Sequence, residues 1–334
     1  MNIFENHNIK NSLQIKASCR FYVEITNKND FNELYVFIRN KQLPVFILGD
    51  GTNIIPPEYY DGIIVKPLFN NINYLNETNI VSVGASINWH YLVKEMVSKN
   101  IYGFENLSLI PGTVGAAPIQ NIGAYGQEVC NLINKVDCFN YETGKFLSLT
   151  KDECNFSYRD SSLKKGNLII FSIDFKTDSI NRLNLDYKSI QTYLDANKIN
   201  LDSLNLNSVS DIICKIRNSI LPDPSEVPNA GSFFKNPIID KNKINTERFS
   251  LDKLIIWDID SKYVKVGAAR LIELIKKDLI EDKNINIYDK HALVLTTNSK
   301  ISQDSILDYA NQIKSKVLEV FNISLEIEPT IISN

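Results

Sequence analysis

The stretch ENLSLIPGTVGAAPIQNIGAYGQEV, from Glu105 to Val129, most constrains what this chain can fold into. It holds four glycines and two prolines and little charge, in a chain otherwise rich in lysine and asparagine. A flexible linker is also glycine-rich, but it lacks the Leu, Ile, Val and Tyr interleaved here. Apolar residues between glycines predict an ordered loop, buried against something flat and large. Gly112, Gly115, Gly123 and Gly126 let main-chain amides come close to that object. A cofactor's diphosphate and ring system meets the description.

A second glycine turn, GDGTN (Gly49 to Asn53), directly follows the apolar strand PVFIL. Alone it reads first as a plain strand-ending turn, and only second as a cradle of amides for an anion. It is not a dinucleotide fingerprint of the Rossmann kind, because no G-x-G-x-x-G opens a helix here. Two such loops in one chain tip the balance towards a bound dinucleotide.

The rest of the chain supplies a scaffold. FYVEIT (Phe21 to Thr26), Ile63 to Val65, Asn79 to Ala85 and LIIFSIDF (Leu168 to Phe175) read as strands, and two β segments flank the turn Glu142 to Gly144. Helical spacing marks Phe31, Leu34, Tyr35 and Ile38 behind a capping Asp30, and Trp89, Leu92, Val93 and Met96. Further helices are expected at Val209 to Ile216, Leu271 to Leu279 and Ile306 to Val320, with strands at Ala292 to Leu295 and in the closing ISLEIEPTII. Asp178 to Asn207 is polar and Asn-rich, an insertion or interdomain crossing. The fold class is α+β, with a domain boundary between Thr177 and Leu221.

Composition narrows the partners. A net charge of -3 and a pI near 5.8 leave no electrostatic footprint for nucleic acid or an anionic membrane. The N-terminal MNIFENHNIKNSL has no apolar run, and no segment approaches the roughly 20 apolar residues that span a bilayer. A cytoplasmic protein acting as a monomer is expected. Five scattered cysteines without a CxxC pair read as reduced thiols, and three distant histidines suggest no metal site.

Over nearly its full length the chain resembles the UDP-N-acetylenolpyruvoylglucosamine reductase (UDP-N-acetylmuramate dehydrogenase) family. NSLQIKA, ILGDGTN, the Glu105–Val129 stretch, YRDS, RNSILPDP, NAGSFFKNP and a closing IEP occur in the family's order. The resemblance implies an FAD-binding domain of the vanillyl-alcohol-oxidase (PCMH) type over 15–179, a crossing segment with a tyrosine loop over 180–218, an α+β substrate-binding domain over 219–322 and a final strand, 323–334, returning to the active site. It further implies non-covalent FAD, NADPH as co-substrate, and reduction of a UDP-sugar enolpyruvyl ether to UDP-N-acetylmuramate for peptidoglycan.

Residue by residue, the resemblance puts Gly49, Asp50, Gly51, Thr52 and Asn53 at the FAD diphosphate. Pro111, Gly112, Thr113, Val114, Gly115, Asn121, Ile122, Gly123, Ala124, Tyr125, Gly126 and Arg217 complete the cofactor site. Arg159 matches the arginine that stabilises charge on the substrate carboxylate, and strand geometry is expected to turn it away from Asp160. Ser232 matches the proton donor. Tyr187, Asn236 and Tyr158 match substrate contacts, and Tyr187 marks the longer subtype, whose extra loop closes over substrate.

Three departures qualify the match. Thr330 stands where the family carries its third catalytic residue, a glutamate; Ile220 replaces a lysine before LPDP; and Lys283 to His291 lacks an expected glycine element. Glu328 would sit roughly 7 Å from Thr330 along an extended strand, too far to substitute directly. Three readings remain: a working but slowed reductase, favoured because the FAD loops, Arg159 and Ser232 are intact; a flavoprotein that has lost catalysis; and, last, a flavin oxidase tethering its cofactor through His90 or Cys130.

Overall fold

The computed structural model describes every residue except Ser179 and Ser299, with Asn76 described by its backbone alone. The expected boundary at residue 179 therefore lies outside the described residues. Two compact units share the chain, and neither is one continuous stretch. The first comprises Met1–His7, Cys19–Asp50 and Asp61–Ser219; the second comprises Asn8–Ser18, Gly51–Tyr60 and Ile220–Asn334.

In the first unit, a four-stranded sheet runs in the order Asn2–Asn8, Ser18–Ile25, Tyr59–Pro67, Val45–Ile47, the last pair parallel with Val45 opposite Ile63. A five-stranded antiparallel sheet has the order Lys145–Thr150, Ile133–Asn140, Leu168–Lys176, Ile80–Gly84, Ile72–Leu75. Alternating burial along Ile80–Gly84 fits one covered face. That face is covered by the helix Trp89–Ser98, which starts where Asn88 accepts from the Tyr91 N–H and buries Trp89, Leu92, Val93, Met96 and Val97. The helix Asp30–Lys41 buries Phe31, Leu34 and Ile38, with Phe31 stacked on Phe139 at 4.7 Å between centroids.

Asp30 does not cap that helix from the N-cap position, which Asn29 occupies. Its carboxylate turns back instead, accepting from the N–H groups of Thr26 (2.8 Å) and Asn27 (3.2 Å). Burial alone would raise this carboxyl, but those N–H donors and the nearby N-terminal ammonium outweigh it and hold it at about 2.

The Asn-rich segment is more ordered than its composition suggests. It forms the helix Lys188–Ala196, whose Ile190 and Leu194 pack with Val209, Ile212 and Ile213 of the helix Leu206–Ile220. The apolar stripe is sparse, but it falls on one face of each helix.

The second unit holds a three-stranded sheet ordered Asn229–Ser232, Val294–Thr297, Ile285–Ile287, so the region lacking the expected glycines still supplies a strand. A second sheet joins Ile238–Asp240, Tyr263–Val266 and Ile256–Asp258. The helices Ala268–Ile275 and Gln303–Phe321 pack Leu271, Ile272, Ile306, Ile313 and Val317 into the core of this unit. The closing segment is not one extended strand. Ile327 bridges Phe234, whereas Thr330–Ile331 pairs in parallel with Ile54–Ile55, with Pro329 between the two pairings. Among the described residues, no helix is long and apolar enough to cross a membrane and no side-chain cluster could hold a metal ion.

Candidate active site

In the first unit the two glycine-rich loops meet. A Cβ on Gly49 would lie 3.1 Å from Thr113 Oγ1 and 3.2 Å from Ala116 Cβ, so the turn and the loop are in contact because Gly49 has no side chain. The loop is fastened by its own main chain. Gly115 N–H donates to Ala85 O (2.9 Å), Val114 N–H to Ile87 O (2.8 Å) and Trp89 N–H to Gly112 O (2.9 Å). Among the described residues, no group accepts from the amides of Gly49, Asp50, Gly112 or Thr113, although Thr113 is buried. Buried amides without acceptors are costly, so those of Gly112 and Thr113, beside the half-buried Gly49 and Asp50, fit an anion that the protein does not itself supply.

Asn121 to Gly126 forms the next wall. Asn121, fully buried, donates to Glu128 Oε2 (3.0 Å) and Ser157 O (3.1 Å) and accepts from the Cys130 N–H (3.2 Å). Gly123 and Ala124 pair with Glu128 and Gln127 in a small hairpin, and Ile122 N–H donates to Ala117 O. Asn106 Nδ2 ties this loop to the Asn-rich segment, donating to Tyr125 O (2.8 Å) and Asn184 O (2.9 Å). Tyr187 packs edge-on against Tyr125 at 5.4 Å.

The guanidinium of Arg159 is held by the same loop, donating to Gly123 O (2.6 Å) and Asn121 O (3.4 Å). Tyr158 lies beneath it, with 5.4 Å from the guanidinium carbon to the ring centroid. Arg159 is not on a strand: it sits in the tight turn between Ser157 and Asp160, at φ +54°. Strand alternation therefore does not set its direction; the two carbonyls do. Burial pulls the Arg217 guanidinium below its ordinary value, opposed by Tyr125 and Cys214, and repulsion from Arg159 lowers it further. Arg217 Nε and Asn106 Oδ1 are both buried without a hydrogen-bond partner. Two arginines within electrostatic reach, one with an orphaned donor, suit an anionic ligand rather than the empty fold.

His90 and Cys130 have other work. His90 Nδ1 accepts from the Leu109 N–H at 3.0 Å, and Cys130 Sγ faces Glu128 Oε2 at 3.7 Å. Burial pushes the Cys130 thiol up, with Glu128 adding to the effect, which makes it a poor nucleophile.

In the second unit, Ser232 ends the strand Asn229–Ser232, opposite Val294 and just past a register shift. Gly231, at φ +74°, makes that bend, and its N–H donates to Asn229 Oδ1 (2.8 Å). Phe233 then changes partners: its N–H donates to Leu293 O (2.7 Å), while its carbonyl accepts from the Glu328 N–H (2.9 Å). Ser232 is thus fixed at a splice between two strands, with Phe233 and Phe234 fully buried behind it. Asn236 Oδ1 accepts from the Ala268 N–H (2.9 Å) at a helix start, which leaves its amide hydrogens as the donors. Gly51 O accepts from Ser12 N–H and Asn53 O from Thr330 N–H (3.0 Å), and Thr330 is exposed. Phe234 bridges Ile327, and beyond Pro329 the closing segment leaves that pairing, with Thr330 opposite Ile54.

Sequence reasoning missed Lys66 and Asn106. Lys66 is a lone lysine in an apolar strand; its ammonium donates to Gly49 O and lies 3.3 Å from Asp50 Oδ1. Asn106 is an amide inside a buried stretch, and both anomalies were readable as signals.

Residues 19–150 match a family described as an FAD binding domain, and residues 223–332 match the C-terminal domain of UDP-N-acetylenolpyruvoylglucosamine reductase. The reductase of that name from Shewanella sp. strain MR-7 is 32% identical over 326 residues, covering 96% of this chain and 94% of its own. Its counterpart from Buchnera aphidicola subsp. Baizongia pistaciae is 37% identical over 299 residues, 88% of each. The crystal structure of UDP-N-acetylenolpyruvylglucosamine reductase from Thermus caldophilus shares the fold over 100% of each chain, with a TM-score of 0.66 at 19% identity.

Proposed function

The chain belongs to the UDP-N-acetylenolpyruvoylglucosamine reductase family, and we propose that it catalyses that reductase's reaction on a UDP-sugar enolpyruvyl ether, with FAD bound and NADPH as electron source. The observation that carries this reading is the meeting of the Gly49 turn with the Pro111–Ala117 loop around amides that lack protein acceptors. Bound FAD would supply the hydride-transfer chemistry between NADPH and the enolpyruvyl group.

The chain's own residues do the rest. The amides of Gly49, Asp50, Gly112 and Thr113 receive the diphosphate, and Arg217 gives its unpaired Nε to the cofactor. Ile122, Ala124 and Tyr125 keep water from the ring system. Arg159, its direction fixed by two loop carbonyls, stabilises charge building on the substrate carboxylate, a contribution on the order of a few kcal/mol in a dry site. Ser232 donates the proton that completes the lactyl ether at C2; its rigid placement matters because a hydroxyl is a weak acid. Asn236, Tyr187 and Tyr158 hold the nucleotide sugar. The packing of Tyr187 on Tyr125 supports the longer subtype, in which an extra loop of the crossing segment over 180–218 closes on substrate. A cytoplasmic monomer fits this role in peptidoglycan precursor synthesis.

A second reading, a flavoprotein that has lost the last step, is favoured by the exposed Thr330 where the family carries a glutamate. Anaerobic stopped-flow absorbance separates the two. NADPH is expected to bleach the flavin band, and the enolpyruvyl substrate to restore it. A flavin that stays reduced after mixing with substrate overturns the reductase reading.

A further inference from the structure

A diphosphate is anionic, yet the turn that receives it carries a carboxylate, Asp50. Like charges a few ångströms apart in a partly desolvated site repel strongly. Within the first unit, Lys66 answers this. Its ammonium lies 3.3 Å from Asp50 Oδ1 and also donates to Gly49 O, and its side chain is only 16% exposed. The strand carrying it fixes its position, because Ile63, Ile64 and Val65 are fully buried and Leu48 N–H donates to Val65 O (2.9 Å).

The bond to Gly49 O has a second consequence. In a trans peptide the carbonyl and the following N–H point in opposite directions. Drawing Gly49 O towards Lys66 therefore aims the Asp50 N–H the other way, leaving it free for an outside acceptor. We propose that Lys66 is a positioning residue for the cofactor's diphosphate, cancelling the charge of Asp50 and setting the Gly49–Asp50 peptide so that its amide faces the anion. This rests on the FAD reading given above. An ordinary exposed ion pair contributes little, and it would not combine a charge contact with a carbonyl bond in one turn.

Titration of the apo-protein with FAD and with riboflavin, which has no phosphate, followed by flavin fluorescence, tests the proposal. Lys66→Met is expected to weaken FAD binding by about 10- to 100-fold, the range for losing a charge-assisted contact. Riboflavin affinity should change less than twofold, and Lys66→Arg should keep most of the FAD affinity. The double variant Asp50→Asn/Lys66→Met should regain part of the loss, because the uncancelled charge is gone while the Gly49 carbonyl still lacks its anchor. Equal losses for FAD and riboflavin, no loss for either, or no recovery in the double variant each overturn the proposal. Should Lys66→Met not fold, Asp50→Asn alone decides, since it must bind FAD at least as tightly as the wild type. Failure of the wild type itself to bind FAD removes the cofactor assignment and this inference together, whereas a normal Lys66→Met leaves the cofactor assignment standing.

Discussion

Replacing Gly115 by alanine tests the cofactor loop most directly. The added Cβ would stand 2.7 Å from Ala85 Cβ and 3.1 Å from Ala85 O. Carbon atoms settle at about 3.5–4.0 Å, so the loop must retreat by roughly 1 Å. That retreat stretches the Gly115 N–H to Ala85 O bond from 2.9 Å and the Val114 N–H to Ile87 O bond from 2.8 Å, both beyond useful length. Two such bonds at about 1 kcal/mol each give a loss near 2 kcal/mol, within the roughly 1–3 kcal/mol typical of overpacking. If the bound state demands the native loop, FAD affinity falls about 30-fold, since about 1.4 kcal/mol is a factor of ten. Flavin fluorescence titration measures the affinity, and thermal unfolding of the apo-protein measures the stability. An unchanged melting temperature together with FAD affinity within twofold of wild type would refute the close approach of Gly115 to Ala85.

Ser232→Ala is expected to let NADPH reduce the flavin while abolishing its reoxidation by substrate; normal turnover in stopped flow would remove Ser232 from the mechanism. Thr330→Glu should raise turnover if the threonine replaces a lost acid, and an equal or lower steady-state rate would show a site adapted to it. Asp30→Asn should cost about 2–3 kcal/mol, as expected for hydrogen bonds to a charged group, in denaturant unfolding, without changing FAD affinity. Because the Asp30 carboxyl is held at about 2 against an ordinary 3.8, its stabilisation is complete above that ordinary value and fades as pH falls towards 2. The stability difference between Asp30→Asn and wild type should therefore shrink in acid; a constant difference would contradict the shift.

Much of the scaffold was legible before any coordinates. The helices at Trp89–Ser98 and Gln303–Phe321 follow from apolar spacing, which is encoded within a few residues along the chain. The Glu105–Val129 stretch was legible as an ordered loop because glycines separated by apolar residues suit little else. The environment of Arg159 was not, since a turn at φ +54° leaves no periodic signal and was read as strand. Asp30 misled in the same way: an acidic residue at a helix start has the composition of a cap whether it faces forwards or back.

The sequence by itself determined the strongly periodic helices and strands, the family and the residue types available for cofactor chemistry, because these depend on patterns of near neighbours. Only the tertiary structure decided which residues meet. It brought Gly49 against Thr113, turned the Arg159 guanidinium onto the carbonyls of Asn121 and Gly123, set Tyr187 on Tyr125 and put Lys66 beneath Asp50. Each of these pairs joins segments well separated along the chain. What fixes them is the registration of strands and the filling of a core at close-packed density, a cooperative property that no local window contains.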